Sequence, residues 1–154
     1  MISENIRKVI SLIILHHREV FQESPTPMKL QKLCYYAQGI YMANGELLFE
    51  EDFQAWTYGP VIPALYDEYK EYGWRSIPDE FEFPELEPEK IEWIEQIVEG
   101  YGRYDGAALA TMTHREAPWL NARQGLSETE GSNALIPKES MKTFFENKLA
   151  AYVG

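Results

Sequence analysis

The chain has a single cysteine, Cys34. No internal disulfide can form, which is the usage of a protein kept in a reducing cytoplasm. Histidine is also scarce, at three residues. Two of them, His16 and His17, are adjacent in a helical stretch and point about 100° apart, so they cannot readily share one metal. No His/Cys cluster has metal-ligand spacing, and neither metal nor other cofactor is expected. Gly59-Pro60 offers one glycine and no run of free N–H donors, so it is no phosphate-cradling loop. The longest apolar run near the start, 9–15, is broken by Ser11 and flanked by charge. It is too short to cross a bilayer and is followed by no small-residue cleavage site. Basic residues are few: 14 Lys and Arg stand against 25 Asp and Glu, a net charge of −11. Residues 46–99 alone hold 16 acids and three bases. Such a surface repels a phosphate backbone and attracts a cationic partner, so direct nucleic-acid binding is disfavoured.

Nucleophiles with their helpers are missing too. Cys34 falls on an apolar helical stripe, where burial raises a thiol pKa and makes it inert. His114 beside Glu116, or with Asp105, has the residue types of a general base, but no Ser or Cys nucleophile with an oxyanion loop accompanies it. The expectation is that the protein is not an enzyme. His114 is read instead as a helix-end residue, with Pro118 opening the next turn and Trp119 filling the core.

What the chain does have is aromatic: ten Tyr, seven Phe and four Trp. With 154 residues and 45% hydrophobic content, it is long enough for one domain, 1–154, that buries about 70% of its unfolded surface. The periodicity predicts a mainly α fold of about six helices, with a small antiparallel hairpin between the second and third. Ser3 caps a first helix running to Phe21, and Thr26 caps a second that opens on Pro27 and stops at Asn44-Gly45. On the second helix Leu30, Leu33, Cys34, Ala37 and Tyr41 form the apolar face, with Lys29, Gln31 and Lys32 beside it. A ribbon over 47–58 is expected to turn at the acidic tip Glu50-Glu51-Asp52. Pro60 and Pro63 then sit in the opening turn of a third helix. An acidic, proline-punctuated connector over 75–90, free of helix and mobile, leads to a fourth helix from Pro88. Asp105 caps a fifth, and after a polar loop over 124–135, Ile136-Pro137 begins the last. The expected core comprises Leu30, Leu33, Ala37, Trp56, Leu65, Ile94, Val98, Leu109, Trp119 and Phe144.

Three blocks carry a family resemblance: KLQKLCYYAQ from Lys29 to Gln38, FQAWTYGPVIPALYDEY from Phe53 to Tyr69, and LATMTHREAPW from Leu109 to Trp119. In this order, with W-x-YGP-V-x-P intact, they resemble the Panacea domain family of SocA-like antitoxins and GepA-like prophage-associated proteins. The likeness extends from about Ile6 to Leu149. Its motif positions here are Lys29, Leu30, Gln31, Lys32, Leu33, Tyr36, Gln38, Trp56, Tyr58, Gly59, Pro60, Val61, Pro63, Thr113, His114, Pro118 and Trp119. The resemblance implies an antitoxin that neutralises a cognate protein toxin encoded nearby by direct contact. It also implies the alternative of an adaptor that delivers a toxin or other client to an AAA+ protease. Large aromatics with polar tips anchor interfaces, so Tyr58, Tyr66 and Trp74 are candidates for partner binding or homodimerisation. Glu50, Glu51 and Asp52 are the acidic candidates.

Overall fold

Ser3 and Thr26 open the first two helices. A computed structural model describes residues 2–153. The Ser3 hydroxyl accepts the Ile6 N–H at 3.4 Å and the Thr26 hydroxyl accepts that of Lys29 at 3.3 Å. The helices α1 (Glu4–Phe21) and α2 (Pro27–Met42) follow. Pro27 sits where its missing N–H is harmless. After α2 the backbone turns through Ala43 and Asn44 to Gly45, whose φ of +90° suits glycine.

Between the second and third helices lies the ribbon, β1 (Phe53–Trp56) and β2 (Gly59–Val61), antiparallel with Trp56 opposite Gly59. Its tip is therefore Thr57-Tyr58. The acidic triplet Glu50-Glu51-Asp52 precedes β1 instead of forming the tip, because its carboxylates are drawn elsewhere: Glu51 accepts from the Ser3 N–H and hydroxyl at 2.7 and 3.0 Å, and Asp52 pairs with Lys138. Pro60 lies in β2 and not in a helix. It is tolerated there because β2 is the edge of a sheet ordered β2-β1-β3, where no ladder needs its N–H. The third strand, β3 (Leu135–Ile136), was not expected.

Then come α3 (Pro63–Tyr69), continued by a 3-10 turn over Lys70–Tyr72, and α4 (Pro88–Tyr101). The helices α5 (Gly106–Thr113), α6 (Ala117–Ala122) and α7 (Lys138–Val153) complete the order. Seven α-helices and a three-stranded sheet among the described residues give a mainly α fold with one helix more than expected. The connector after Gly73 lacks helix, but it is pinned: Ile77 is buried, its N–H donates to Pro25 O at 3.0 Å, and the Arg18 guanidinium donates to the carbonyls of Ile77 and Asp79.

The centre of the molecule is α2, buried at every residue from Leu30 to Met42 and packed by α1, α3, α4, α5, α7 and β2. A one-faced helix was expected; here it is surrounded. Gln31 and Lys32, read as flanking residues, are buried. Of the expected core, Trp56 and Phe144 are only half-buried, and Phe145 takes the inward position on α7.

Candidate functional site

Polar residues inside an apolar helix need partners, and those on α2 hold the ribbon. The Gln31 amide donates to Ile62 O at 3.1 Å and accepts from Ile62 N–H at 2.9 Å. Seven residues on, along the same face, Gln38 donates to Phe49 O at 2.7 Å and accepts from Leu48 N–H at 2.9 Å. Each amide thus completes a missing strand-like pairing, one on either side of the hairpin. The third block, with Arg123 just beyond it, fastens the hairpin. The Trp119 indole N–H donates to Trp56 O at 2.8 Å, and Arg123 donates to Ala55 O at 3.0 Å and to the carbonyls of Ser127 and Glu130. Thr113 and Lys32 close on Gly59 so tightly that a Cβ there would lie 2.7 Å from both side chains, and its φ is +112°. Only glycine fits.

The result is a cleft of about 570 Å³ between the ribbon and α3. Trp56, Tyr58, Tyr66, Tyr69 and Trp74 form its walls, with Trp56 edge-on to Tyr66 at 5.1 Å. Tyr58, Tyr66 and Trp74 are 63%, 43% and 78% exposed. These three sequence candidates, distributed over the hairpin tip, a helix and a loop, are brought to one surface. Glu50, Glu51 and Asp52 do not line it.

Lys32 lies in the lining at 1% exposure. Its ammonium donates to Pro60 O at 3.2 Å and has no carboxylate partner among the described residues. Burial pushes it down to about 7, since taking a charge out of water favours the neutral amine. Sequence periodicity placed Lys32 beside the apolar stripe and gave no reason to single it out. The available signal was an interruption, Gln31-Lys32, in a run that is otherwise apolar.

The other candidates have structural neighbours. His114 follows α5 and stacks on Trp119 at 4.2 Å; burial lowers its pKa, with the Thr57 backbone acting in the opposite direction. Asp105 caps the opposite end of α5 through the Ala108 N–H at 2.8 Å, about 13 Å away along the helix axis. Glu116 accepts from the Tyr36 hydroxyl at 2.9 Å and pairs with Lys148 at 3.7 Å. Burial raises its carboxyl, with Lys148 acting in the opposite direction. His114, Glu116 and Asp105 therefore serve three different attachments. Cys34 is buried, and its thiol is raised by that burial. Among the described residues no group of three or more His, Cys, Asp or Glu is placed to hold a metal, and no helix is long and apolar enough to cross a membrane.

Fold and cleft define a small mainly helical domain built around a buried central helix, with a pinned hairpin that presents aromatics to solvent. The family described as antitoxin SocA-like, Panacea domain, matches residues 30–120. That is more than half of the chain, and the chain belongs to this family. The matched span is narrower than the resemblance from Ile6 to Leu149; it runs from α2 into α6, and α1 and α7 lie outside it while packing on α2. No curated protein and no solved structure shows a significant match.

Proposed function

We propose that this protein is an antitoxin that neutralises a cognate protein toxin by direct contact, and that the aromatic cleft is the contact surface. The carrying observation is that all three sequence blocks converge on it: the first supplies its floor, the second its walls, and the third holds the hairpin tip in place. Rigid aromatics with one face exposed are the side chains that concentrate binding energy in protein interfaces. The chain's acidic surface would speed encounter with a cationic toxin. No catalytic step belongs to this reading. A soluble intracellular setting, a toxin gene nearby and a prophage context are parts of the same proposal.

The test is co-expression with each neighbouring open reading frame, scoring growth and then co-purification. One neighbour that is toxic alone, harmless together and co-purifying is the expected result. Trp74→Ala with Tyr58→Ala should then weaken the complex by about 30-fold or more, the effect of losing about 2 kcal/mol of anchor contacts, while the exposed positions leave stability within about 0.5 kcal/mol. Absence of any toxic neighbour would refute the reading. Clearance of the toxin with no stable complex would favour delivery to an AAA+ protease instead.

A further inference from the structure

Asparagine is followed by glycine once in this chain, at Asn44-Gly45; Asn5, Asn121, Asn133 and Asn147 precede Ile6, Ala122, Ala134 and Lys148. The pair sits where α2 ends. Residues 44–46 are exposed, and the Asn44 side-chain amide has no hydrogen-bond partner among the described residues. Gly45 has a φ of +90°, and nothing lies within 4 Å of the place where a Cβ would stand. One bond holds its nitrogen: the Gly45 N–H donates to Met42 O at 2.8 Å. That bond belongs to a solvent-exposed turn closing a helix, the low-stability end of a fold, and such turns open at little cost.

We propose that Asn44 is a site of spontaneous modification that loosens the joint between α2 and the ribbon. When the turn opens, the Gly45 backbone nitrogen attacks Asn44 Cγ. The new N–C bond closes a succinimide ring, and the side-chain nitrogen takes up the proton lost by Gly45 and leaves as ammonia. Water then opens the ring at either carbonyl, giving aspartate or isoaspartate. Glycine favours the closure because it has no Cβ to crowd the ring. Both products add a negative charge to a chain already at −11. They place it at the C-terminal end of α2, where the helix dipole is itself negative. It also lies two residues from Glu46, whose carboxylate accepts from the Tyr41 hydroxyl at 3.4 Å. Isoaspartate does more, because it routes the main chain through the former side chain and so inserts a methylene. The insertion falls between Met42, buried in α2, and Leu48, whose N–H is held by Gln38 of that same helix. One rigid helix fixes both ends of the segment, so the added length is absorbed by the turn or by the Gln38–Leu48 bond. The strand that presents Trp56 begins just beyond, at Phe53. This chemistry does not depend on the antitoxin reading.

The test holds the full chain in mildly alkaline buffer, with a second portion unfolded in urea to set the intrinsic rate. Samples withdrawn over time are digested, and the Asn44 peptide is followed by mass spectrometry, with isoaspartate counted by a carboxyl methyltransferase specific for it. Asn44 should convert to both acids while Asn5, Asn121, Asn133 and Asn147 stay intact. Folding should slow it by no more than about tenfold, as a fraying turn allows. Asn44→Gln, a change at an exposed position, should stay unmodified. Slowing beyond about tenfold, or earlier conversion of another asparagine, would overturn the inference. Hydrogen exchange then reads the joint. The Leu48 amide should exchange faster in the aged protein than in Asn44→Asp, which carries the added charge and no added length. Equal exchange in the two would overturn the link to the ribbon.

Discussion

Replacing Lys32 by Met should stabilise the protein at neutral pH and below, and the gain should vanish in alkali. The ammonium is pushed down to about 7 in the folded chain, from an ordinary value of 10.5. Between those values the unfolded chain holds the proton and the folded chain does not. Unfolding then takes up a proton, so stability rises with pH, by about 1.4 kcal/mol per pH unit from this group. Below about pH 7 both states are protonated and the full penalty of a buried charge is present, on the order of 4–5 kcal/mol. Methionine preserves most of the side chain's length and apolar contact, and loses one hydrogen bond to Pro60 O worth about 1 kcal/mol. Lys32→Met should therefore be about 3–4 kcal/mol more stable than wild type at pH 6, and no more stable than wild type near pH 10.5. Urea unfolding followed by far-UV circular dichroism at pH 6, 8 and 10 measures both chains, and their difference removes the other titrating groups. A difference that stays constant across this range would refute the reasoning, because it would mean that Lys32 keeps its proton when folded.

Gly59→Ala should cost about 2–5 kcal/mol, from left-handed backbone strain of about 1–2 and overpacking of about 1–3 against Lys32 and Thr113; an unchanged denaturation midpoint would contradict the close approach. At Gly39 a helix-favouring alanine gains about 1 kcal/mol, but its Cβ would meet the Phe145 ring. Overpacking costs about 1–3 kcal/mol, so the net effect should be a loss of up to about 2 kcal/mol, and a raised Tm would show that α7 is not seated there. Gln38→Leu strips partners from Leu48 N–H and Phe49 O. A loss of about 2–4 kcal/mol and faster amide exchange at Leu48 are expected. Glu116 is raised by burial, so above its ordinary value of 4.5 the folded chain holds a proton that the unfolded chain has released. Its contribution therefore declines as pH rises through that window, so the stability of wild type relative to Glu116→Gln should fall with pH there, the comparison removing the opposing rise from His17 and His114, whose pKa values burial lowers.

Local chemistry made much of this architecture legible in the sequence. Ser3, Thr26 and Asp105 each cap the helix assigned to them, and Pro27, Pro63 and Pro88 each start one, because caps and first-turn prolines act within three residues of themselves. The apolar period of α4 was equally local, and so was the family pattern around Gly59. Tyr58, Tyr66 and Trp74 were singled out by their chemistry alone, and the fold places all three on one exposed surface. The tertiary structure decided the rest. A hairpin over residues 47–61 could turn at its acidic triplet or at Thr57-Tyr58, and the choice depended on Ser3 and Lys138, 48 and 86 residues away from their acidic partners. Periodicity shows which face of a helix is apolar but not how many neighbours surround it, so Gln31 and Lys32 read as flanking residues until six elements were packed around α2. Burial of an unpaired lysine is a property of that packing. No window of sequence contains it, because the carbonyl, the glycine and the threonine that enclose Lys32 come from β2 and α5.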